Sequence, residues 1–187
     1  MINASDLKNG VTFLHNGQPF KVIKYNLVKM GRGGATVKVH VRNLETGSVN
    51  EFGFSSNVKV ESVSTNKRAL QYLYNDGSVA TFMDPESYEQ VEIPTNVLSN
   101  ELAYIKEGEK VDVLFWGEKA LSVDIAPKVT LTVAETDPGV KGNSVSNLYK
   151  SATLENGLQT KVPLFIKIGD KIRVDTRTGE YVERAEK

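Results

Sequence analysis

The residues of this chain best placed to do chemistry are the cations of one glycine-rich stretch, Lys29-Met30-Gly31-Arg32-Gly33-Gly34-Ala35. A guanidinium keeps its charge and presents a planar fork of donors, so it suits the binding of phosphate and ribose oxygens rather than proton transfer. The glycines around Arg32 allow positive φ and add no side-chain bulk, which lets the guanidinium project from a narrow finger towards a closely approaching partner. Lys29 supplies an auxiliary charge, and Gly31, Gly33 and Gly34 support the loop. This is not a Walker phosphate loop, because the Gly-x-x-x-x-Gly-Lys-Ser/Thr spacing is absent and a strand rather than a helix follows. Basic glycine turns also serve as plain connections in β proteins, and the stretch alone leaves both readings open.

Other chemistries find little support. There is no cysteine, which excludes disulfides, thiolate catalysis and sulfur-based zinc sites. The two histidines, His15 and His40, are far apart and lie in or beside strand-like segments, so no metal site is expected. Asp, Ser and His are all present, yet no nucleophile-elbow sequence occurs and two strand-borne histidines are a poor basis for a triad. The chain reads as a binding protein, not an enzyme, with no cofactor.

The segments around the loop must position it. Phe20-Lys21-Val22-Ile23-Lys24-Tyr25 is aromatic and β-branched, and Val37-Lys38-Val39-His40-Val41-Arg42 alternates apolar and polar with period two. Strands over 20–28 and 36–43 make the Arg32 loop a hairpin tip. Asn16-Gly17 is a second hairpin signal, and Val49 to Phe54 and Val58 to Val63 complete about five strands, which predict a small SH3-like barrel over residues 1–65. Residues 66–127 predict a second barrel: Leu70 to Tyr74, Val79 to Met83, Val111 to Trp116 and Leu121 to Ile125 read as strands. Asp84 as cap and Pro85 at the first helical position predict a short helix through Gln90, and Thr95 to Ile105 holds another helical turn. Pro127 marks the next boundary. Residues 128–187 repeat the pattern as a third barrel, with Thr160 to Ile166 read as one of its strands and Val162, Leu164, Ile166, Ile172 and Val174 expected in its core. The expected class is therefore all-β, three small barrels in tandem, the last two of oligonucleotide/oligosaccharide-binding (OB) type.

Net charge is zero, but it is unevenly divided. Residues 1–65 carry eight Lys/Arg against four Asp/Glu, 66–127 five against eleven, and 128–187 ten against eight. That pattern suggests termini that touch phosphate and a middle that faces another protein or solvent, although solvated faces alone would produce it too. No apolar run is long enough to span a bilayer and the N-terminus lacks signal-peptide regions, so a cytoplasmic protein is expected, with no membrane partner and as a monomer.

Longer motifs now carry a family resemblance. Glu135-Thr136-Asp137-Pro138-Gly139-Val140-Lys141-Gly142, Ala152-Thr153-Leu154, Val162-Pro163-Leu164-Phe165-Ile166 and Val174-Asp175-Thr176-Arg177-Thr178-Gly179-Glu180-Tyr181 resemble the signature of bacterial translation elongation factor P. Gln71-Tyr72-Leu73-Tyr74-Asn75-Asp76-Gly77, Phe82-Met83-Asp84 and Tyr88-Glu89-Gln90 extend the resemblance over essentially the whole chain. It implies an L-shaped protein of an SH3-like (KOW-like) barrel and two OB-fold barrels that sits on the ribosome between the peptidyl and exit sites and rescues stalling at consecutive prolines. Its partners would be ribosomal RNA and proteins, the peptidyl-tRNA and the exit-site mRNA codon.

The resemblance also implies roles for residues. Arg32 falls where the family carries a Lys or Arg, commonly modified, that reaches the CCA end of the peptidyl-tRNA. The chain has Met30 where the commonest pattern has proline, and Arg32 where it has a modified lysine, so lysine-directed modification cannot act there. The arginine branch of the family resembles Ser-Gly-Arg-Asn and is rhamnosylated, which implies an arginine-modifying glycosyltransferase; Gly33 and Gly34 depart from that sequence. Gly142, Asn143 and Ser144 fall in the third-domain loop that the family turns towards RNA. The rival reading is a general single-stranded nucleic-acid-binding OB-fold module, which should line a groove with basic and aromatic residues together; the acidic middle segment argues against it.

Overall fold

The computed structural model describes residues 1–29, 31–139 and 148–185. Among them the regular structure is β-strand, apart from short 3-10 turns at Ala4–Asp6 and Glu101–Tyr104. The first sheet contains β1 (Ile2–Asn3), β2 (Thr12–His15), β3 (Gln18–Lys29), β4 (Ala35–Asn43), β5 (Val49–Ser55) and β6 (Lys59–Ser62), in the antiparallel order β1-β6-β2-β3-β4-β5. The period-two pattern in β4 explains its place. Val37, Val39 and Val41 are wholly buried and pack with Leu7, Phe13, Phe20 and Val22, while the intervening Lys38 and His40 turn outwards. Each such side chain removed from water contributes about 1.5–3 kcal/mol, so this alternation fixes which face of the hairpin belongs to the core.

The second sheet contains β7 (Asn66–Asn75), β8 (Val79–Met83), β9 (Gln90–Pro94), β10 (Lys110–Trp116) and β11 (Lys119–Asp124), ordered β11-β10-β7-β8-β9. The third contains β12 (Lys128–Thr136), β13 (Tyr149–Leu154), β14 (Gln159–Pro163), β15 (Lys171–Asp175) and β16 (Tyr181–Arg184), ordered β14-β13-β12-β15-β16. Numbered from its own first strand, each reads 5-4-1-2-3, and in each the outer strands approach one another, β11 beside β9 and β14 beside β16. Five antiparallel strands that nearly close in this order are the OB-type barrel expected from sequence. Residues 1–124 pack as one compact unit and residues 125–187 as another.

Two local expectations are corrected. The helix from Asp84 through Gln90 does not form. Asp84 begins as a cap should, its Oδ1 accepting from the backbone N–H of Glu86 (2.8 Å) and Ser87 (3.3 Å), and the N–H of Tyr88 donates to the Asp84 carbonyl at 2.9 Å. Met83 and Gln90, however, are direct cross-strand partners. Only six residues bridge them, enough for one turn, and Tyr88 ends that turn with φ of 61°. In the third barrel, the strand expected to run to Ile166 stops at Pro163, where the N–H of Ile166 folds back to the Pro163 carbonyl (3.2 Å). Leu164 is therefore only half-buried, while Val162, Ile166, Ile172 and Val174 are core.

Candidate functional site at the Arg32 hairpin

The β3–β4 hairpin pairs continuously from Phe20 opposite Asn43 to Lys29 opposite Ala35, with one irregularity between Val22 and Lys24. Ile23 is the extra residue there and lies 37 % exposed. Such a bulge adds local twist and re-aims the strand beyond it. Support for the finger runs almost to its tip. β5 flanks β4 as far as Thr36 opposite Ser55, and the N–H of Ser56 donates to the Ala35 carbonyl at 3.0 Å. On the other flank, the Tyr25 N–H donates to Asn9 Oδ1 (2.9 Å) and the Lys8 ammonium lies 3.7 Å from the centre of the Tyr25 ring.

At the tip, residues 31–34 are all exposed, and Gly31 and Gly34 have φ of 50° and 83°. A Cβ at either glycine would meet nothing within 4 Å, so the requirement is for backbone conformation, not space. Among the described residues no hydrogen bond or ion pair engages the Arg32 guanidinium. Lys29 is exposed at the finger's base, and Gly33 lies in the exposed loop. Lys24 and Lys38 sit on the finger's outward face, opposite His40 and Asn26 respectively, and there His40 Nε2 lies 3.2 Å from Glu51 Oε2. Two other cations of this barrel are used internally. Lys21 Nζ bonds Glu101 Oε1 at 2.8 Å, and Arg42 donates to the carbonyls of Gly47 (2.9 Å) and Asn96 (3.0 Å).

Those last contacts join the first barrel to the second, and sequence reasoning missed them. The Asn43–Ser48 turn docks on the second barrel through Asn96 Nδ2, which donates to the Thr46 carbonyl at 2.8 Å, and through Lys119, whose ammonium lies 2.8 Å from Glu45 Oε1. The Glu101 carboxylate is only 6 % exposed, so Lys21 neutralises a charge that burial alone would disfavour. The finger thus stands on a base braced from both barrels. The arrangement can bind and position an anionic group. Its tip offers charge and donors but no nucleophile paired with a base, and among the described residues no three His, Asp or Glu side chains cluster as a metal site would require. Gly142, Asn143 and Ser144 lie outside the described residues, between the end of β12 and the start of β13.

Fold and tip together define an all-β binding protein of three tandem barrels with an unpaired cation on a braced finger. Three family models match it in succession: the elongation factor P KOW-like domain over residues 3–60, the elongation factor P OB domain over 65–123 and the elongation factor P C-terminal domain over 129–184. The chain is 45 % identical to the elongation factor P of Caldanaerobacter subterraneus subsp. tengcongensis and 42 % identical to that of Finegoldia magna, in each case over 98 % of this chain and 100 % of the relative. A solved structure titled eukaryotic translation initiation factor 5A from Methanococcus jannaschii is 25 % identical and covers 65 % of this chain and 94 % of its own, with a TM-score of 0.43. The chain belongs to the elongation factor P family and is a translation elongation factor. None of its described helices is long and apolar enough to cross a membrane.

Proposed function

We propose that the chain binds the ribosome between the peptidyl and exit sites and stimulates peptide-bond formation at consecutive prolines, with Arg32 positioning the CCA end of the peptidyl-tRNA. The observation that carries this reading is the unpaired Arg32 guanidinium at the tip of a finger whose strands are braced almost to the loop. Proline is a poor donor and acceptor in peptide transfer, and holding the tRNA end near its attacking geometry lowers the barrier by removing motions that would otherwise be lost in the transition state. The protein positions, and the ribosomal RNA catalyses. A planar, multiply donating cation fits phosphate and ribose oxygens, with Lys29 adding charge from the loop's base. Exposure on every side of the tip also suits covalent modification of Arg32, for example by an arginine-directed glycosyltransferase, and intact mass of the protein from its native host reads this directly. The Gly142-Asn143-Ser144 segment is proposed to face RNA of the exit-site codon.

The test is Arg32→Ala in a reconstituted translation system. Folding should be spared, since substitutions away from caps and cores change stability by only about 0.5 kcal/mol. Rescue of Pro-Pro-Pro synthesis should be mostly lost while a proline-poor reporter is unaffected. Arg32→Lys keeps charge but loses the planar fork and any arginine-linked group, and should fall between. Full rescue by both variants, measured against the parent in its native modification state, would show that the loop is only a turn.

A further inference from the structure

The second barrel presents a surface that the Arg32 reading does not use. In the sheet β7-β8-β9, Tyr74, Thr81 and Glu92 stand in one cross-strand row, with Ala80, Phe82 and Ile93 on the opposite, buried face. The row outside therefore carries Tyr74, 48 % exposed, and Glu92, exposed, with Gln71, Met83 and Gln90 in the next outward row. Between Tyr74 and Glu92, the Thr81 side chain is 1 % exposed and its Oγ1 has no hydrogen-bond partner. A buried hydroxyl left without a partner is costly in a finished fold.

The turn that joins β8 to β9 follows directly on the Met83–Gln90 pair. Its backbone is closed on itself, with the Asp84 N–H donating to the Glu89 carbonyl and the Tyr88 N–H to the Asp84 carbonyl, both at 2.9 Å. Tyr88 is the largest residue of the turn and is 71 % exposed, so the turn holds an aromatic ring in water in a backbone conformation that bulky residues rarely adopt. Glu86, Glu89 and Glu92 are all exposed, and no ion pair engages them among the described residues. Of the nearby cations, Arg68 is committed to Asp84 (3.2 Å) and stacks over Phe115 (4.8 Å), and Lys110 stands opposite Gln71 on β10, three strands or about 14 Å from β9.

We propose that the outer face of β7-β8-β9, together with the Asp84–Glu89 turn, is a docking surface for an arginine-rich segment of a protein, with Tyr88 as the anchor on which a guanidinium stacks. Exposed tyrosine offers a large, stiff contact area with few rotamers to lose, and guanidinium stacking on an aromatic face flanked by carboxylates combines cation–π with ionic attraction. Three uncompensated carboxylates would repel a phosphate backbone, which is why the occupant is assigned as protein rather than RNA. The Thr81 hydroxyl lies covered beneath this face with its hydrogen-bonding capacity unused.

The partner is sought on the ribosome, so the inference rests on the reading above for its location, and the experiment separates the two. Full-length protein carrying photoreactive p-benzoylphenylalanine at position 88 is irradiated with assembled ribosomes, and a second sample carries it at Leu27, which is 46 % exposed on the finger. The position-88 product should be protein, sensitive to protease and not to ribonuclease, and its attached peptide should contain arginine. Combining Glu86→Lys with Glu89→Lys should reduce its yield roughly tenfold, about 1.4 kcal/mol spread over the two reversed charges. A position-88 product with RNA, a yield indifferent to the charge reversal, or no position-88 product while Leu27 cross-links, would overturn the proposal and leave the ribosomal reading standing. Silence at both positions would overturn the ribosomal reading and this assignment with it.

Discussion

Gly47→Ala should disturb the joint between the first two barrels far more than a methyl group suggests. Gly47 has φ of 78°, and a Cβ there would stand 2.5 Å from Asn96 Cγ and 2.7 Å from Asn96 Nδ2. Alanine in a left-handed conformation costs roughly 1–2 kcal/mol. Part of this, about 0.4–1 kcal/mol, is offset because alanine restricts the unfolded chain. The larger consequence is that the Asn96 side chain must move, abandoning its bond to the Thr46 carbonyl. That bond is worth about 0.5–1.5 kcal/mol, so the substitution should cost roughly 1–3 kcal/mol in all. Asn96→Ala alone removes one bond and should cost about 0.5–1 kcal/mol, the low end because the contact is exposed.

The pair of substitutions isolates the steric part. With Asn96 already truncated, the new methyl meets no amide, and Gly47→Ala should cost only its backbone strain. The double variant should then be about 1 kcal/mol more stable than the sum of the singles predicts, beyond the roughly 0.3–0.5 kcal/mol within which independent sites add. Chemical denaturation followed by Trp116 fluorescence is the assay. Trp116 is the sole tryptophan and lies in β10, so its signal reports the 1–124 unit without averaging in the other. Additive costs, or a Gly47→Ala variant as stable as the parent, would refute the claim that the Asn43–Ser48 turn is wedged against Asn96.

Two further outcomes follow from the same contacts and charges. The Asp175 carboxyl is held below its ordinary value of 3.8, first by its side-chain bond to Arg177 and then by the Arg177 backbone N–H; a depressed folded value stabilises above the unfolded one and is lost as pH falls through the folded one. Asp175→Asn should therefore lower the melting temperature of residues 125–187 at pH 7, with the deficit disappearing as the pH is taken below 3.8. Limited proteolysis should cut first within residues 125–128 and leave a 1–124 fragment intact, because the Lys21–Glu101, Glu45–Lys119 and Arg42–Asn96 contacts protect the connection near Thr65; early cutting at Thr65 would show that these bridges open readily.

What was legible in the sequence is what local chemistry dictates. Valines at 37, 39 and 41 can only be a half-buried strand, and Asn16-Gly17, with φ of 51° and 76°, is the hairpin its residues demand. The Arg32 tip was legible for the same reason, since glycines requiring positive φ between two period-two strands define a loop end. The helix after Asp84 was misread because its cap and proline are true local signals, overruled by a strand register that no local pattern records. The joint between barrels was illegible on different grounds: Lys21 and Glu101, or Glu45 and Lys119, are separated by 80 and 74 residues, and each looks like an ordinary surface charge where it stands. These pairs also change the meaning of the charge count along the chain. The excess of cations in residues 1–65 and of acids in 66–127 is partly spent at the joint, and in both directions, since Lys21 meets an acid of the second barrel while Glu45 meets a lysine of it. Other charges are not consumed there: Lys24, Lys29, Arg32 and Lys38 lie on the finger and Glu86, Glu89 and Glu92 on the second barrel, while Lys59, Glu61, Lys106 and Glu107 are exposed elsewhere in the unit. A charge total taken along the chain therefore counts groups that the joint has already neutralised, and only the place of each remaining charge in the folded unit bears on what that charge can meet.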